Sequence, residues 1–348
     1  MKKTRVARIG LLTVTLIGVL SLATVVVLSI CVGSTSIPVL DVIKSFLAAF
    51  GLIKRESIEL SVYMSVIALR LPRILCGVLA GGGLAVSGTV MQGVFRNPLA
   101  DPGLLGVSAG AGFGALIAIV LGLSYSFFSL PAAAFAGSLA AVAIILGVSF
   151  AARGSTSTVT LVMSGMAVSA LFSAFTSLLL TLSNEYQVNK YIFWTMGGLS
   201  NRRWEHVYTM LVPVMMCTVV LLLLAGRLDV MMLGDEQALA LGVDSGKNRV
   251  VMIILASLCT ASVVCVTGPI GFVGLMIPHI LRLIVGPSHR RLCISSFFFG
   301  GVFLTVCDTL VRWISSFYFR EFSVGIVTAF IGAPYFLFLL IKKRSSFL

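Results

Sequence analysis

Charged residues are scarce in this 348-residue chain: 11% are Asp, Glu, Lys or Arg, whereas 58% are hydrophobic. A soluble domain carries about 25% charged residues, so the composition excludes an ordinary soluble protein. Acids are rarest, with 12 Asp and Glu against 25 Lys and Arg and a net charge of +13. The basic residues stand singly or in short clusters between apolar runs, which argues against a nucleic-acid partner. The composition therefore indicates an all-α polytopic membrane protein in contact with the lipid bilayer.

Residues for enzymatic chemistry are also sparse. The three histidines lie far apart and the seven cysteines form no CxxC pair, so neither a zinc site nor a disulfide framework is indicated. The segment Gly242 to Asn248 (GVDSGKN) is one residue short of a P-loop, and no Ser or Thr follows its lysine. Glycine clusters at 81–83 and 110–114 lie inside apolar runs, which favours close helix packing. We therefore expect no catalytic, cofactor or metal site in this chain.

Ten apolar passes follow one another along the chain, and one transmembrane domain over residues 1–348 accounts for all of them. The first pass is longer than the roughly 7–15 apolar residues of a signal peptide, so we expect an uncleaved membrane helix there. The predicted passes lie at about 9–32, 61–95, two within 102–152 with a turn near 122–131, 157–182, 206–226, two on either side of residue 268, 293–316 and 323–341.

The run from Val250 to Leu281 contains a break that bears on function. As one helix it would be about 48 Å long at 1.5 Å per residue, which exceeds the roughly 30 Å of bilayer hydrocarbon. Gly268-Pro269 is the predicted turning point, because proline cannot extend a helix and the residue before it avoids helical angles. Broken segments at membrane depth often line the substrate path of transporters, so we expect Gly268 and Pro269 near such a path.

The placement of Lys and Arg predicts the orientation. Fifteen of the 25 basic residues fall on the side that holds both termini, together with five acids, one of which is Asp101. The other side holds ten basic residues and seven acids. Because short cytoplasmic loops carry the excess of Lys and Arg, we expect both termini in the cytoplasm.

Six motifs occur in order from residue 70 almost to the end of the chain. They are RLPRILCGVLAGGGLAVSGTVMQGVFRNPLADPGLLGVSAGAG (70–112), MGGLSNRRW (196–204), LGDEQALALGVD (233–244), GPIGFVGLMIPHILR (268–282), DTLVRW (308–313) and VGIVTAFIGAPYF (324–336). Together they resemble the FecCD-type permease subunits of ABC importers, which import iron chelates, heme and cobalamin. The resemblance implies a type II importer fold in the bacterial cytoplasmic (inner) membrane, with ten helices in each of two permease subunits. It also implies two copies of a cytoplasmic ATPase subunit, which would hold ATP and Mg, and an extracytoplasmic substrate-binding protein.

The loop at residues 228–248, the longest on the predicted cytoplasmic side, contains a helix-prone piece that ends at Gly242 as at a helix C-cap. The spacing of Glu236, Ala238 and Gly242 is similar to the coupling loop that docks ABC permeases on the ATPase. The resemblance assigns five residues to that contact: Asp235, Glu236, Ala238, Leu241 and Gly242. Asp235 and Glu236 also suit a helix N-terminus by charge alone, so a capping role stays open for both.

Three arginines on the opposite side, Arg70, Arg73 and Arg312, lie at the ends of apolar passes, where an unpaired cation is costly. The resemblance implies that they receive carboxylates from the two lobes of the binding protein. Two other interpretations stay open: the side chains snorkel to the interface, or Asp308, one turn before Arg312, holds that arginine in an internal pair.

The translocation pathway and its gate have candidates near the inner end of the second pass and at the start of the fifth. Together with the break they are Met91, Gln92, Phe95, Asn97, Ser157, Thr158, Gly268 and Pro269. Ser157 and Thr158 align with the place where the family narrows to an inner gate. A Ser or Thr in a membrane helix usually bonds back to its own helix, so a purely structural role stays open for them.

The resemblance implies import of an iron chelate, a ferric siderophore or heme, and cobalamin is the alternative cargo. An ion-coupled secondary transporter is a more distant alternative, because such proteins usually carry ionisable residues inside the membrane and Asp308 is the one plausible candidate. A channel or structural subunit fits the composition but not the coupling-loop pattern. The second permease subunit is either another copy of this chain or a different one.

Overall fold

The structure is a computed structural model that describes residues 10–33, 36–123, 128–151, 158–318 and 320–344. Within these ranges, seven helices are long and apolar enough to cross a membrane. Three shorter apolar helices, Val107–Val120, Val273–Val285 and Val324–Leu339, accompany them. These ten apolar helices correspond in position to the ten predicted passes, although three of them are shorter than a full membrane span. The prediction of an all-α polytopic fold is confirmed.

We number the helices in chain order. They are α1 (Leu11–Cys31), α2 (Val39–Ala49), α3 (Leu60–Met64), α4 (Leu71–Val94), α5 (Val107–Val120), α6 (Ser129–Ala151), α7 (Thr158–Thr181), α8 (Glu185–Thr195), α9 (Trp204–Met231), α10 (Asp235–Ala240), α11 (Ser245–Thr267), α12 (Val273–Val285), α13 (His289–Tyr318) and α14 (Val324–Arg344). The four short ones, α2, α3, α8 and α10, are the additions to the predicted passes. A π-helical turn, Ser65–Arg70, joins α3 to α4.

α4 is the central helix of the subunit, and 94% of its most apolar stretch is buried. Its glycines permit this, because a Cβ on Gly81 would collide with the backbone of Gly300 in α13. A Cβ on Gly88 would collide in the same way with Gly274 in α12. The prediction that these small residues serve close helix packing is therefore confirmed for α4.

The break between the two halves of the 250–281 run lies where the sequence places it. α11 ends at Thr267, Gly268 has a φ of +69°, and α12 begins at Val273. Phe272, the residue before α12, also has a positive φ of 68°, which costs a residue with a Cβ roughly 1–2 kcal/mol. Such local strain persists only where surrounding contacts hold it.

Asp101 lies deeper than the charge pattern predicts, so its assignment to a cytoplasmic loop was wrong. After α4 the chain turns back towards the bilayer, and Asp101 lines a cavity of about 20 Å³ with Leu84, Thr260 and Gly274. Leu84 and Thr260 are mid-helix residues of α4 and α11, so Asp101 shares their depth. Its carboxylate accepts a hydrogen bond from the Gly103 amide at 2.8 Å. The sequence does not indicate this re-entrant path, because the 14 apolar residues of α5 cannot be told from part of a full membrane pass by hydropathy.

The bundle has two ends, which we name the α10 face and the arginine face. The α10 face carries α10 and the junction of α12 with α13, and the start of α1 lies close to the end of α12. The arginine face carries the end of α1, the start of α4 and the end of α13. Since α14 starts beside Gly197 near the arginine face and runs away from it, both ends of the described chain point to the α10 face.

Candidate functional site

A buried carboxylate on the arginine face neutralises two arginines. Asp308 of α13 is 1% exposed, and it accepts hydrogen bonds from Arg73 Nη2 at 2.8 Å and Arg73 Nε at 3.0 Å. It also accepts one from Arg312 Nε at 3.1 Å. The internal pair considered for Arg312 is thus present, and it includes Arg73 as well. Two guanidiniums around one carboxylate leave this cluster with a net positive charge.

The arginines also fasten the end of α1 to the rest of the bundle. Arg70 Nη1 donates to the Ile30 carbonyl at 2.6 Å. Arg312 Nη1 donates to the Val32 carbonyl at 2.9 Å, and its Nη2 donates to the Ser29 carbonyl at 2.9 Å. These carbonyls belong to the last turn of α1 and its cap, which lack intrahelical partners and carry the negative end of the helix dipole. Snorkelling to solvent is not what the structure shows, because these side chains are largely buried.

A cavity of about 600 Å³ opens above this cluster. Six arginines and one glutamate contribute to its lining: Arg70, Arg73, Arg202, Arg203, Arg312, Arg320 and Glu321. Arg202 and Arg203 come from the loop before α9, and Arg320 follows α13. These three are absent from the predicted site residues, although an Arg-Arg pair in a loop on the predicted outer side is a usable signal. The cavity is strongly cationic.

The break in the 250–281 run is held by backbone contacts beside this cavity. The Gly198 amide donates to the Thr267 carbonyl at 2.7 Å, and the Gly325 amide donates to the Gly197 carbonyl at 3.2 Å. A Cβ on Gly268 would collide with the carbonyl of Trp194. The loop after α8, the break and the start of α14 therefore meet through main-chain atoms. Of the two break residues, Gly268 is buried and Pro269 is half-buried.

Several predicted pathway residues lie in the packed interior instead. Met91, Gln92 and Phe95 are buried, and Gln92 Nε2 donates to the Leu275 carbonyl of α12 at 3.0 Å. Because α4 is covered on nearly all sides, the structure does not support a pathway-lining role for these three residues. Asn97 is exposed and its side chain accepts from the Leu99 amide at 3.0 Å. Thr158 is half-buried at the start of α7, and Ser157 lies outside the described residues.

The predicted coupling piece is a helix in the structure. α10 spans Asp235–Ala240, and Gly242 follows with a φ of +79°, so the predicted helix and its glycine end are confirmed. Ala238 is buried against the subunit. Glu236 and Leu241 are exposed, and so is Leu239, which is not among the predicted contact residues.

Asp235 faces its own subunit. Its carboxylate accepts hydrogen bonds from Arg249 Nη2 of α11 at 3.2 Å and from Arg96, which follows α4. Arg96 also donates to the Met231 carbonyl at the end of α9, at 2.7 Å. Partial burial alone raises the pKa of Asp235, but the hydrogen bonds from Arg249 and Arg96 lower it overall. One carboxylate therefore ties α10 to α4 and α11.

A second acid joins α9 to α13 on the same face. Asp229 Oδ1 accepts from the His289 amide at 2.9 Å and lies 2.6 Å from His289 Nδ1. His289 is the first residue of α13 and is buried, so Asp229 caps that helix by the logic of an N-cap. The pairing spans 60 residues of sequence, and no local pattern indicates it.

The fold and these two faces define a multi-pass membrane permease: apolar helices, a broken helix beside a charged cavity, and an exposed loop helix at the other end. A family model, the FecCD transport family, matches residues 21–342. A cobalamin import system permease of Halobacterium salinarum is 43% identical over 78% of this chain and 72% of its own length. A hemin transport system permease of Yersinia pestis is 36% identical over 80% of this chain and 83% of its own.

A solved structure described as an inward-facing metal-chelate type ABC transporter superposes with a TM-score of 0.82 at 33% identity. The match covers 94% of this chain and 98% of that one. The chain belongs to the FecCD transport family. It is a permease subunit of a type II ABC importer and a multi-pass protein of the cytoplasmic (inner) membrane. Members of this family work with ATPase subunits and binding proteins.

Proposed function

We propose that this chain, as a single transmembrane domain over residues 1–348, imports an iron chelate delivered by a substrate-binding protein. ATP would be hydrolysed on two copies of a separate ATPase subunit, and this permease would itself be non-catalytic. The observation that carries the proposal is α10, an exposed loop helix that ion pairs tie to the membrane helices. Because α10 is exposed and is also bonded to the membrane helices, it could transmit a conformational change from an ATPase partner to those helices.

The coupling loop, residues 228–248, would contain two sets of residues, one that contacts the ATPase and one that positions α10. Glu236, Leu239 and Leu241 are exposed and would contact the ATPase. Asp235, buried Ala238 and the glycine turn at Gly242 would set the position of α10. Movement of α10 would reach α4 and α11 through Arg96 and Arg249. In this arrangement the α10 face and both termini are cytoplasmic.

The arginine face would then receive the binding protein. Arg70, Arg73 and Arg312 line its cavity. Their side chains are held by internal partners, but their positive potential would still attract an acidic lobe of the binding protein. Because these arginines are largely buried, their charge would mainly set association rate and register rather than affinity. The break at Gly268-Pro269 lies beside the same cavity, which supports a pathway that starts there, and Asn97 and Thr158 would lie towards its other end. The second permease subunit, a copy of this chain or a different one, would complete the pathway.

The cargo is proposed from the relatives. Besides hemin, one relative, from Bacillus subtilis and 35% identical, is named for Fe(3+)-citrate import. Two of these cargoes are iron chelates, which favours that class. The cobalamin permease is the more identical relative at 43%, so cobalamin is the second candidate.

Reconstituted uptake tests the proposal. Proteoliposomes would contain the permease with its ATPase, with ATP inside and the loaded binding protein outside. We expect accumulation of radiolabelled ferric chelate or heme, and none without ATP. Preferential uptake of cyanocobalamin would select the second candidate. Uptake by the permease alone, driven by an ion gradient, would contradict the ABC mechanism.

A further inference from the structure

The cavity on the arginine face holds more positive charge than its own acids neutralise. Glu321 lies in the lining, Asp308 lies beneath it, and Glu205 follows Arg203 by two residues, so the six arginines outnumber these three acids. Asp308 is shared by Arg73 and Arg312, and Arg70 binds carbonyl oxygens of α1. The excess charge therefore lies on the side formed by the loop before α9 and by the segment after α13.

Arg202 is an arginine of this cavity for which the fold supplies few partners in the described part of the chain. Its Nε atom is buried and has no hydrogen-bond partner in the part of the chain that the structure describes. Burial lowers the pKa of its guanidinium, and Cys76 and Cys265 are nearby groups that could carry negative charge. A thiol has an ordinary pKa of about 8.5, so both are mainly protonated at neutral pH. Arg202 as a whole is half-buried at the cavity wall. A partly desolvated cation without a counter-charge costs free energy, and a bound anion would offset that cost.

The size and lining of the cavity suit a small anionic molecule. Its volume of about 600 Å³ falls within the roughly 300–1,000 Å³ of small-molecule sites. Ser200, Asn201, Ser315 and Ser316 add polar side chains to the lining. A guanidinium fork matches the two oxygens of a carboxylate and binds it through two parallel hydrogen bonds. Carboxylate is therefore the chemistry that this cavity recognises best.

We propose that the cavity binds a carboxylate group of the substrate, with Arg202 as its direct partner and Arg203 and Arg320 supplying charge at the rim. This inference rests on the proposed function and narrows the cargo to chelates that carry free carboxylates. Arg202 would then be a residue that determines specificity, whereas Arg73 and Arg312 hold the cavity wall.

Citrate is a suitable probe, because its triethyl ester has the same skeleton without the charge. The full-length chain in lipid nanodiscs carries three tryptophans, and Trp194, Trp204 and Trp313 all lie towards the arginine face. At constant ionic strength we expect a saturable fluorescence change with citrate and none with triethyl citrate. Arg202→Gln should weaken citrate binding at least tenfold. Arg55→Gln removes an exposed arginine of the same face outside the cavity and should leave binding unchanged.

Stability measurements separate a binding role from a structural one. Without ligand, Arg202→Gln should melt at the same temperature as the wild type or higher, because it removes a half-buried cation that lacks an acidic partner in the described part of the chain. Arg312→Gln should melt lower, because it removes one of the two cations beside Asp308 and the donors to the Ser29 and Val32 carbonyls of α1. Arg202→Lys keeps the charge but loses the fork, so we expect citrate binding between that of the wild type and Arg202→Gln.

Three results would overturn the inference. The first is an absent citrate response in the wild type, and the second is an equal response in Arg202→Gln and Arg55→Gln. The third is that Arg202→Gln weakens association with the binding protein although the permease does not bind citrate. The carboxylate partner of Arg202 would then belong to the binding protein. Uptake of an uncharged chelate with ATP would leave the proposed function standing, whereas failure of all ATP-driven uptake would remove the proposed function itself.

Discussion

Removal of the Asp308 charge should destabilise the subunit strongly, because two arginines depend on it. The carboxylate is buried and accepts four hydrogen bonds, three from Arg73 and one from Arg312. Loss of one partner from a buried ion pair costs about 3–5 kcal/mol, because the remaining charge stays buried. Asp308→Asn keeps the shape and one acceptor, so we expect about 3 kcal/mol for it and about 5 kcal/mol for Asp308→Ala.

Reversible unfolding in mixed detergent micelles measures this loss, with Glu56→Gln as the control. Glu56 is an exposed acid of the same face, and such surface changes usually stay within about 0.5 kcal/mol. Arg73→Gln combined with Asp308→Asn should cost less than the sum of the two single changes, because they share one network. A loss below about 0.5 kcal/mol for Asp308→Asn would mean that the arginines are held without that charge.

Three further changes test other parts of the account. Gly242→Val places a β-branched residue at a φ of +79° with open space around it. The variant should insert normally but lose transport-coupled ATP hydrolysis. The control Gly226→Val, also in open space, should keep that activity. Asp235→Asn removes a carboxylate whose pKa is lowered in the folded state. The stability difference from wild type should therefore be constant above the ordinary aspartate pKa of about 3.9 and shrink as the pH falls below it; a constant difference at all pH values would contradict the ion pair. Gly88→Ala inserts a methyl group against the Gly274 backbone and should cost about 1–3 kcal/mol of unfolding free energy, whereas Gly147→Ala, with nothing within 4 Å, should not.

Features set by local chemistry were predictable from the sequence. The passes follow from apolar length, the break follows from Gly268-Pro269, and the end of α10 follows from a glycine placed after a helix-prone piece. Each of these depends on residues that are neighbours in the chain. The predictions therefore needed no knowledge of how the helices pack.

Features set by packing were not predictable. The bond from Arg70 to the end of α1 joins residues 40 positions apart, and the pair of Asp229 with His289 joins residues 60 apart. Hydropathy gives no sign that the chain turns back before α5 and carries Asp101 to mid-helix depth. Hydropathy places Met91 and Phe95 at the end of a pass, which makes them candidates for the pathway. It does not indicate which helices pack around α4 and bury them.

Photo-crosslinking from α10 shows whether this helix docks the ATPase. A photoreactive residue would replace Leu239, which is 66% exposed on the α10 face, or Leu182, which is 76% exposed at the end of α7. The assembled transporter in nanodiscs would be irradiated and the adducts identified by mass spectrometry. We expect an adduct with the ATPase from position 239 and none from position 182. No ATPase adduct from position 239, or an equal yield from position 182, would contradict it.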